Sequence, residues 1–132
     1  MILNLAYQMT EDSTYLDTSR SNLHYLLGNN AMGECFVTGY GTVSPEHPHH
    51  RPSMAKNQAM KGMLVGGVNS GLEDSAAKAY CANSPSAKCY VDHWESYSTN
   101  EITIYWNSPL TCLLSMNSTA RTPELMTSFP AM

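Results

Sequence analysis

The sequence predicts an all-α fold with long loops, and two observations carry that expectation. Apolar residues recur at helical spacing in three stretches, residues 2–9, 13–27 and 98–114. The intervening stretches, residues 28–53 and 62–74, are rich in Gly and Pro, the residues that punctuate regular structure.

The first helix covers Ile2 to Met9 and begins without an N-terminal cap, as expected of a cut through an existing helix. Thr10 to Ser13 form a turn, and Ser13 or Asp12 caps a second helix. Tyr15, Leu16, Leu23, Leu26 and Leu27 give that helix a partial apolar stripe, and Gly28 stops it. The pair reads as an αα-hairpin. Residues 28–53 carry Gly28, Gly33, Gly39, Gly41, Pro45, Pro48 and Pro52 and read as a long ordered loop. Such a loop in a compact domain is more often functional than accidental. Residues 54–60 suit a short helix. Residues 62–74 form a second Gly-rich loop, which lacks the Gly-Lys-Ser/Thr sequel of a phosphate cradle. Ser98 and Glu101 fit a capping box, with Ser98 as N-cap and Glu101 at the third helical position. The helix they open runs to about Leu114, and Pro109 kinks or breaks it. Residues 1–115 form the domain, and the Ser/Thr/Pro-rich stretch 116–132 is expected to be a disordered tail.

Composition narrows the partners. Hydrophobic residues make up 42 % of the 132-residue chain and charged residues 14 %, which argues against a disordered polyampholyte. The net charge is −4 and no basic stripe appears, which excludes a phosphate-binding surface and a nucleic-acid partner. No apolar run is long enough to cross a membrane, and no basic n-region of a signal peptide precedes the first helix. Cys35, Cys81, Cys89 and Cys112 do not have zinc-ribbon spacing. Cys81 and Cys89 bracket a turn that accommodates either a small disulfide loop or two free thiols.

The chemistry concentrates in Tyr90 to Ser108. Asp92 and Glu101 lie there among Tyr90, Trp94, Tyr97, Tyr105 and Trp106. Aromatic faces stack on sugar rings, and paired carboxyl groups break glycosidic bonds by donating and accepting protons. The order is an aromatic, one residue, Asp92, four residues, an aromatic, three residues, Glu101, one residue, Thr103, three residues, then Asn107-Ser108. This resembles the C-terminal active-site signature of the glycoside hydrolase family 9 cellulases. Cys35 to Ser53, ending in Pro48-His49-His50-Arg51, is similar to a second signature of that family. It departs at Cys35, where a small hydroxyl residue or Val is usual, and at Val43, where Asn, Lys or Arg is usual. Gly62 to Asn69 resembles a Gly-rich run of the same family.

The resemblance implies the C-terminal part of an (α/α)6 barrel from a catalytic domain several times longer. It implies a secreted enzyme that cleaves β-1,4-glucosidic bonds of cellulose or related β-glucans with inversion, without a cofactor or a metal in this region. Glu101 would be the general acid, and Asp92 would position it or bind a sugar hydroxyl. His49 joins them, and Arg51 with His50 would bind sugar hydroxyls beside the cleaved bond. Trp106, and more weakly Tyr97 and Tyr105, would stack on sugar. The water-activating Asp belongs to an N-terminal motif absent here, so either a second chain supplies that half or a local acid (Glu46, Glu73, Asp74 or Glu95) substitutes for it.

Bland readings stand beside these. A capping box needs no catalysis, aromatics on an apolar helix are usually core, and clustered His47, His49 and His50 are either solvated or bind adventitious metal, since zinc needs three or four ligands in closed geometry. The competing class is a non-catalytic carbohydrate-binding fragment that keeps His49, Arg51 and Trp106. As a piece of a barrel, the chain is expected to self-associate through exposed helix faces.

Overall fold

The structure, a computed structural model, describes residues 1–119. Six α-helices follow in order: α1 Ile2–Thr10, α2 Ser13–Leu26, α3 Arg51–Lys56, α4 Ser75–Cys81, α5 Tyr97–Asn100 and α6 Ile104–Thr119. A 3-10 turn at Ser86–Lys88 follows α4. Among the described residues there are no strands, only three isolated β-bridges.

The hairpin forms as the sequence expects. Glu11 ends α1 in the left-handed region at φ 58°, and Asp12 rather than Ser13 caps α2 by accepting from the Thr14 amide at 2.9 Å. The buried Ser19 hydroxyl donates to Asn4 Oδ1 and ties the two helices together. Gly28 adopts φ 119° just past α2, a conformation that favours glycine.

Three boundaries differ from expectation. The short helix starts at Arg51 and ends at Lys56 instead of covering 54–60. Pro52 sits in its first turn, where a missing N–H costs nothing, and Asn57 stops it at φ 48°. Helix α4 was not anticipated; buried Asp74 caps it by accepting from Ala77 N at 2.6 Å. The capping box does not form. Residues 97–100 make a single turn, Glu101 is extended at φ −76°, ψ 143°, and α6 begins only at Ile104. Ser98 donates its hydroxyl to Asp74, a charged acceptor stronger than a helix-end geometry offers. Helix α6 then continues through Pro109 to Thr119, so Met116–Thr119 is helical; residues 120–132 of the expected tail lie outside the described residues.

The core sits between the loops and α6, not within the hairpin. Cys35, Phe36, Val37, Leu64, Val65, Tyr90 and Leu110 form it, with Leu23, Leu26, Ile102 and Trp106 packed against it. Each loop segment is extended where it enters the core, and the bridges Val37–Leu64 and Val65–Ile102 satisfy part of its backbone. All four cysteines are free thiols, and Cys81 and Cys89 are buried. Burial pushes the Cys81 thiol up, with Cys89 and Asp74 adding to it, so it is an inert packing group. No helix among the described residues is long and apolar enough to cross a membrane.

Candidate functional site

Three extended segments meet at Glu101. His49 bridges Glu101 in parallel register, and Val65 bridges the next residue, Ile102, in antiparallel register. His49 N donates to Asn100 O at 2.9 Å, and Gly66 N donates to Glu101 O at 3.0 Å. The Glu101 peptide is thus held from both sides by chain more than thirty residues away. Its side chain is half-buried, and its carboxylate has no hydrogen-bond or ion-pair partner among the described residues.

The neighbouring acids are in the opposite condition. Asp92 Oδ2 accepts from Glu46 N at 2.7 Å, and Oδ1 accepts from His47 N at 2.8 Å and Asn100 Nδ2 at 2.9 Å. His47 Nδ1 lies 3.3 Å from Oδ2. Asp74 Oδ2 accepts from Ser98 N at 2.8 Å, Ser98 Oγ at 2.5 Å and Ser96 Oγ at 3.0 Å. Burial pushes the Asp74 carboxyl up, but the bonds from Ala77, Ser98 and Ser96 outweigh it and hold the group below the usual carboxylate range. Asp92 therefore fixes the turn that carries His47, and Asp74 fixes the start of α5.

Asn100 links these parts. It is fully buried and donates through Nδ2 to His47 O at 2.8 Å as well as to Asp92. Its Oδ1 accepts from the Tyr90 hydroxyl at 2.6 Å. Burial, then the charges of Asp92 and Glu34, push the Tyr90 phenol upward, so it remains a donor. Sequence reasoning missed Asn100 and gave Asp74 only as a substitute base. The available signal was position: Asn100 directly precedes the acid, and Asp74 opens a short Ala-rich segment with cap spacing.

The remaining candidates fall into two groups. His49, Tyr97 and Glu101 cluster. The His49 Nδ1–H donates to the Trp94 carbonyl, which leaves Nε2 as the nitrogen free for a ligand. The His49 and Tyr97 ring centroids are 6.3 Å apart, and the Tyr97 hydroxyl donates to Glu73 O at 3.1 Å. Arg51 begins α3, is exposed, and makes no ion pair among the described residues. His50 Nδ1 lies 2.9 Å from the buried Ser53 hydroxyl, which locks its ring against α3. Trp106 stands apart. Its Nε1–H donates to Leu64 O at 3.0 Å, and its ring helps line an apolar cavity of about 330 Å³ with Leu26, Leu64, Pro109 and Leu110. It makes no ring or hydrogen-bond contact with His49, Tyr97 or Glu101.

The signature's last Asn has a structural task. Asn107 accepts from Leu64 N at 2.8 Å and donates to Leu64 O at 2.9 Å, pinning the Gly-rich loop to α6. The two departures from the second signature, Cys35 to Ser53, touch one another: Cys35 N donates to Val43 O at 3.0 Å. That contact is backbone on both sides, and the Val43 side chain is exposed, so neither departure disturbs the loop.

Comparison with known proteins places this arrangement. Residues 1–114 match the profile of glycosyl hydrolase family 9, and the chain belongs to that family. It is 45 % identical over 115 residues to a xyloglucan-specific endo-beta-1,4-glucanase of Bacteroides ovatus, covering 86 % of this chain and 19 % of that protein. It is 40 % identical to a cellulose 1,4-beta-cellobiosidase of Acetivibrio thermocellus, covering 83 % and 13 %. Among solved structures, the family 9 endoglucanase J30 superposes with a TM-score of 0.81 at 37 % identity, over 86 % of this chain and 22 % of that one. The chain therefore spans about a fifth or less of the length of the first two relatives. Its fold is the C-terminal part of an (α/α)6 barrel, helical with long loops.

Proposed function

We propose that this chain supplies the acid half of a site that hydrolyses β-1,4-glucosidic bonds in cellulose or a related β-glucan, in an endoglucanase-like, secreted enzyme. One observation carries the reading: of Glu101, Asp92 and Asp74, only Glu101 has a carboxylate without a hydrogen-bond or ion-pair partner among the described residues. Asp74 and Asp92 each accept three or more hydrogen bonds from the protein, so their lone pairs are committed to holding backbone. Glu101 is free to give a proton to a leaving glycosidic oxygen, on a peptide held rigid by two bridges.

The division of labour follows. His49 Nε2 and the Arg51 guanidinium offer directional polar groups to sugar hydroxyls, with His50 beside them and the half-exposed Tyr97 ring as a stacking face. Asp92 positions and does not transfer a proton. Trp106 acts through the loop it anchors. Attack with inversion needs a second carboxylate on the opposite face of the sugar, far enough from Glu101 to admit water. Glu73 accepts from Asn69 Nδ2 at 2.8 Å, and Asp74 is fully engaged, so neither serves as that base. Glu46 and Glu95 are exposed, with carboxyls unengaged among the described residues, so either of them or a carboxylate from a second chain is left to serve as that base.

Exposed apolar side chains fit a piece of a larger barrel. Ile2, Leu5 and Met9 line one face of α1, and Ile104 and Tyr105 are 82 % and 87 % exposed. Self-association through these faces is the expected state in solution.

The test is reducing-sugar release from a soluble β-1,4-glucan, with Glu101→Gln as control and the association state of both samples measured by sedimentation. Release that vanishes in Glu101→Gln supports the assignment; release that persists refutes Glu101 as the acid. No release, with the chain still retained on immobilised β-glucan, replaces hydrolysis by a non-catalytic binding role.

A further inference from the structure

The mechanism does not use Glu34, yet its placement calls for an explanation. It is 9 % exposed, and its carboxyl has no hydrogen-bond or ion-pair partner among the described residues. The carboxyl oxygens are not among the buried polar atoms left without a partner, so they reach solvent through the opening they face. Glu34 faces a cavity of about 590 Å³ lined also by Asp92, Glu46, Ser44 and Lys61. A second cavity of about 330 Å³ is lined by Trp94, His47 and Gln58. The two share Gly39, Ser44, Glu46 and Lys61, so they adjoin along one trough-like stretch of surface. The His47 and Trp94 rings meet edge to face, with centroids 5.2 Å apart, at its far end. The Trp94 carbonyl, on the same residue, accepts from His49, so one residue of the trough wall contacts a residue of the candidate active site.

The lining selects a ligand class. Carboxyl groups outnumber the single ammonium of Lys61, which disfavours an anion. Lys61 also disfavours a divalent cation, and among the described residues no three His, Cys, Asp or Glu side chains converge for one. What remains is an aromatic wall with hydroxyl, amide and carboxyl groups, the chemistry that binds a neutral polyol. Burial raises the Glu34 carboxyl above its ordinary range, with the Asp92 charge adding to it, which suits it to donate a hydrogen bond as well as accept one.

We propose that the trough from Trp94 past Glu46 and Lys61 to Glu34 is a carbohydrate subsite that holds a neutral sugar residue of the β-glucan beyond the bond at Glu101. The choice of a β-glucan rests on the function proposed above; the polyol chemistry of the trough does not. A Trp106→Phe chain leaves Trp94 as the only tryptophan and makes its fluorescence the probe.

Titration of that chain with cellotetraose should give a saturable change in emission. Adding Glu34→Leu should weaken binding about five- to tenfold, the size of one hydrogen bond. Glu34→Gln, which keeps a donor and an acceptor, should stay within about twofold of the parent. Lys61→Ala, at the exposed rim, gives an independent weakening should Glu34→Leu fail to fold by circular dichroism. A flat titration, or one unchanged by both Glu34→Leu and Lys61→Ala, overturns the subsite. Glu101→Gln separates the two readings: the trough should bind equally well in that variant, even where no reducing sugar is released.

Discussion

Replacing Asp74 by Ala should unfold a large fraction of the chain's stability margin, and the structure says how much. Four donors converge on this carboxylate, from Ala77 N, Ser96 Oγ, Ser98 N and Ser98 Oγ, at 2.5 to 3.0 Å. Loss of the α4 cap alone costs about 1 kcal/mol. The bonds to Ser96 and Ser98 are charge-assisted, each worth about 1.5–3 kcal/mol. Ser96 is fully buried but keeps its contact with the Thr99 hydroxyl at 2.7 Å, which discounts its share. The expected loss is about 3–5 kcal/mol out of the roughly 5–15 kcal/mol of a typical domain. Urea unfolding followed by far-UV circular dichroism measures it. The pH dependence gives a second reading. The Asp74 carboxyl lies below its ordinary value when folded, so its stabilisation is complete above the unfolded carboxyl's range, about pH 3.9. It is lost as pH falls through the lower folded value. The gap between wild type and Asp74→Ala should therefore narrow toward pH 2. A difference under about 1 kcal/mol at pH 7, or one that does not narrow in acid, would refute the view that Asp74 clamps the start of α5.

Asn107→Ala should destabilise by about 1–3 kcal/mol, because it orphans the buried Leu64 N–H, whereas Trp106→Phe should cost under about 1 kcal/mol, since Asn107 still donates to Leu64 O. Combining them leaves that carbonyl bare, so thermal unfolding of the double variant should show a loss greater than the sum. Glu34→Gln should be more stable than wild type at neutral pH. The wild-type carboxyl titrates above its unfolded value because of burial and Asp92, so wild type loses stability as pH rises from about 4.3 through the raised value. Equal urea midpoints for the two proteins at pH 7 would contradict this.

Local signals were legible in the sequence, and non-local ones were not. The α1–α2 hairpin followed from apolar spacing and an Asp cap, both local properties. The Ser98–Glu101 capping box was the sensible local reading, yet it failed because Asp74, twenty-four residues earlier, took the Ser98 hydroxyl. Likewise, His49 and Glu101 stand fifty-two residues apart, and no periodicity could place them across one bridge; only the order of two motifs suggested a common site. Asn100 read as an unremarkable polar residue in a short turn. Its importance lies in burial and in three partners, Tyr90, Asp92 and His47, brought together by tertiary structure.

The failed capping box bears on function. Had Glu101 lain on the first turn of a helix, its carboxylate would have been drawn to the backbone N–H of its own cap. A single helical turn before it and an extended peptide at it remove that competitor. The cost of breaking the helix at residues 101–103 falls on the flanking segments: Asp74 caps one side, Asn100 and Asp92 brace the other, and His49 and Gly66 bond the exposed peptide groups. The acids that hold the frame are saturated so that the acid within it is not. A side chain with unmet hydrogen-bonding capacity, half-buried on a fixed peptide, suits the proton donor proposed for Glu101, while Asp74 and Asp92 engage the backbone, hydroxyl and amide donors of the frame around it.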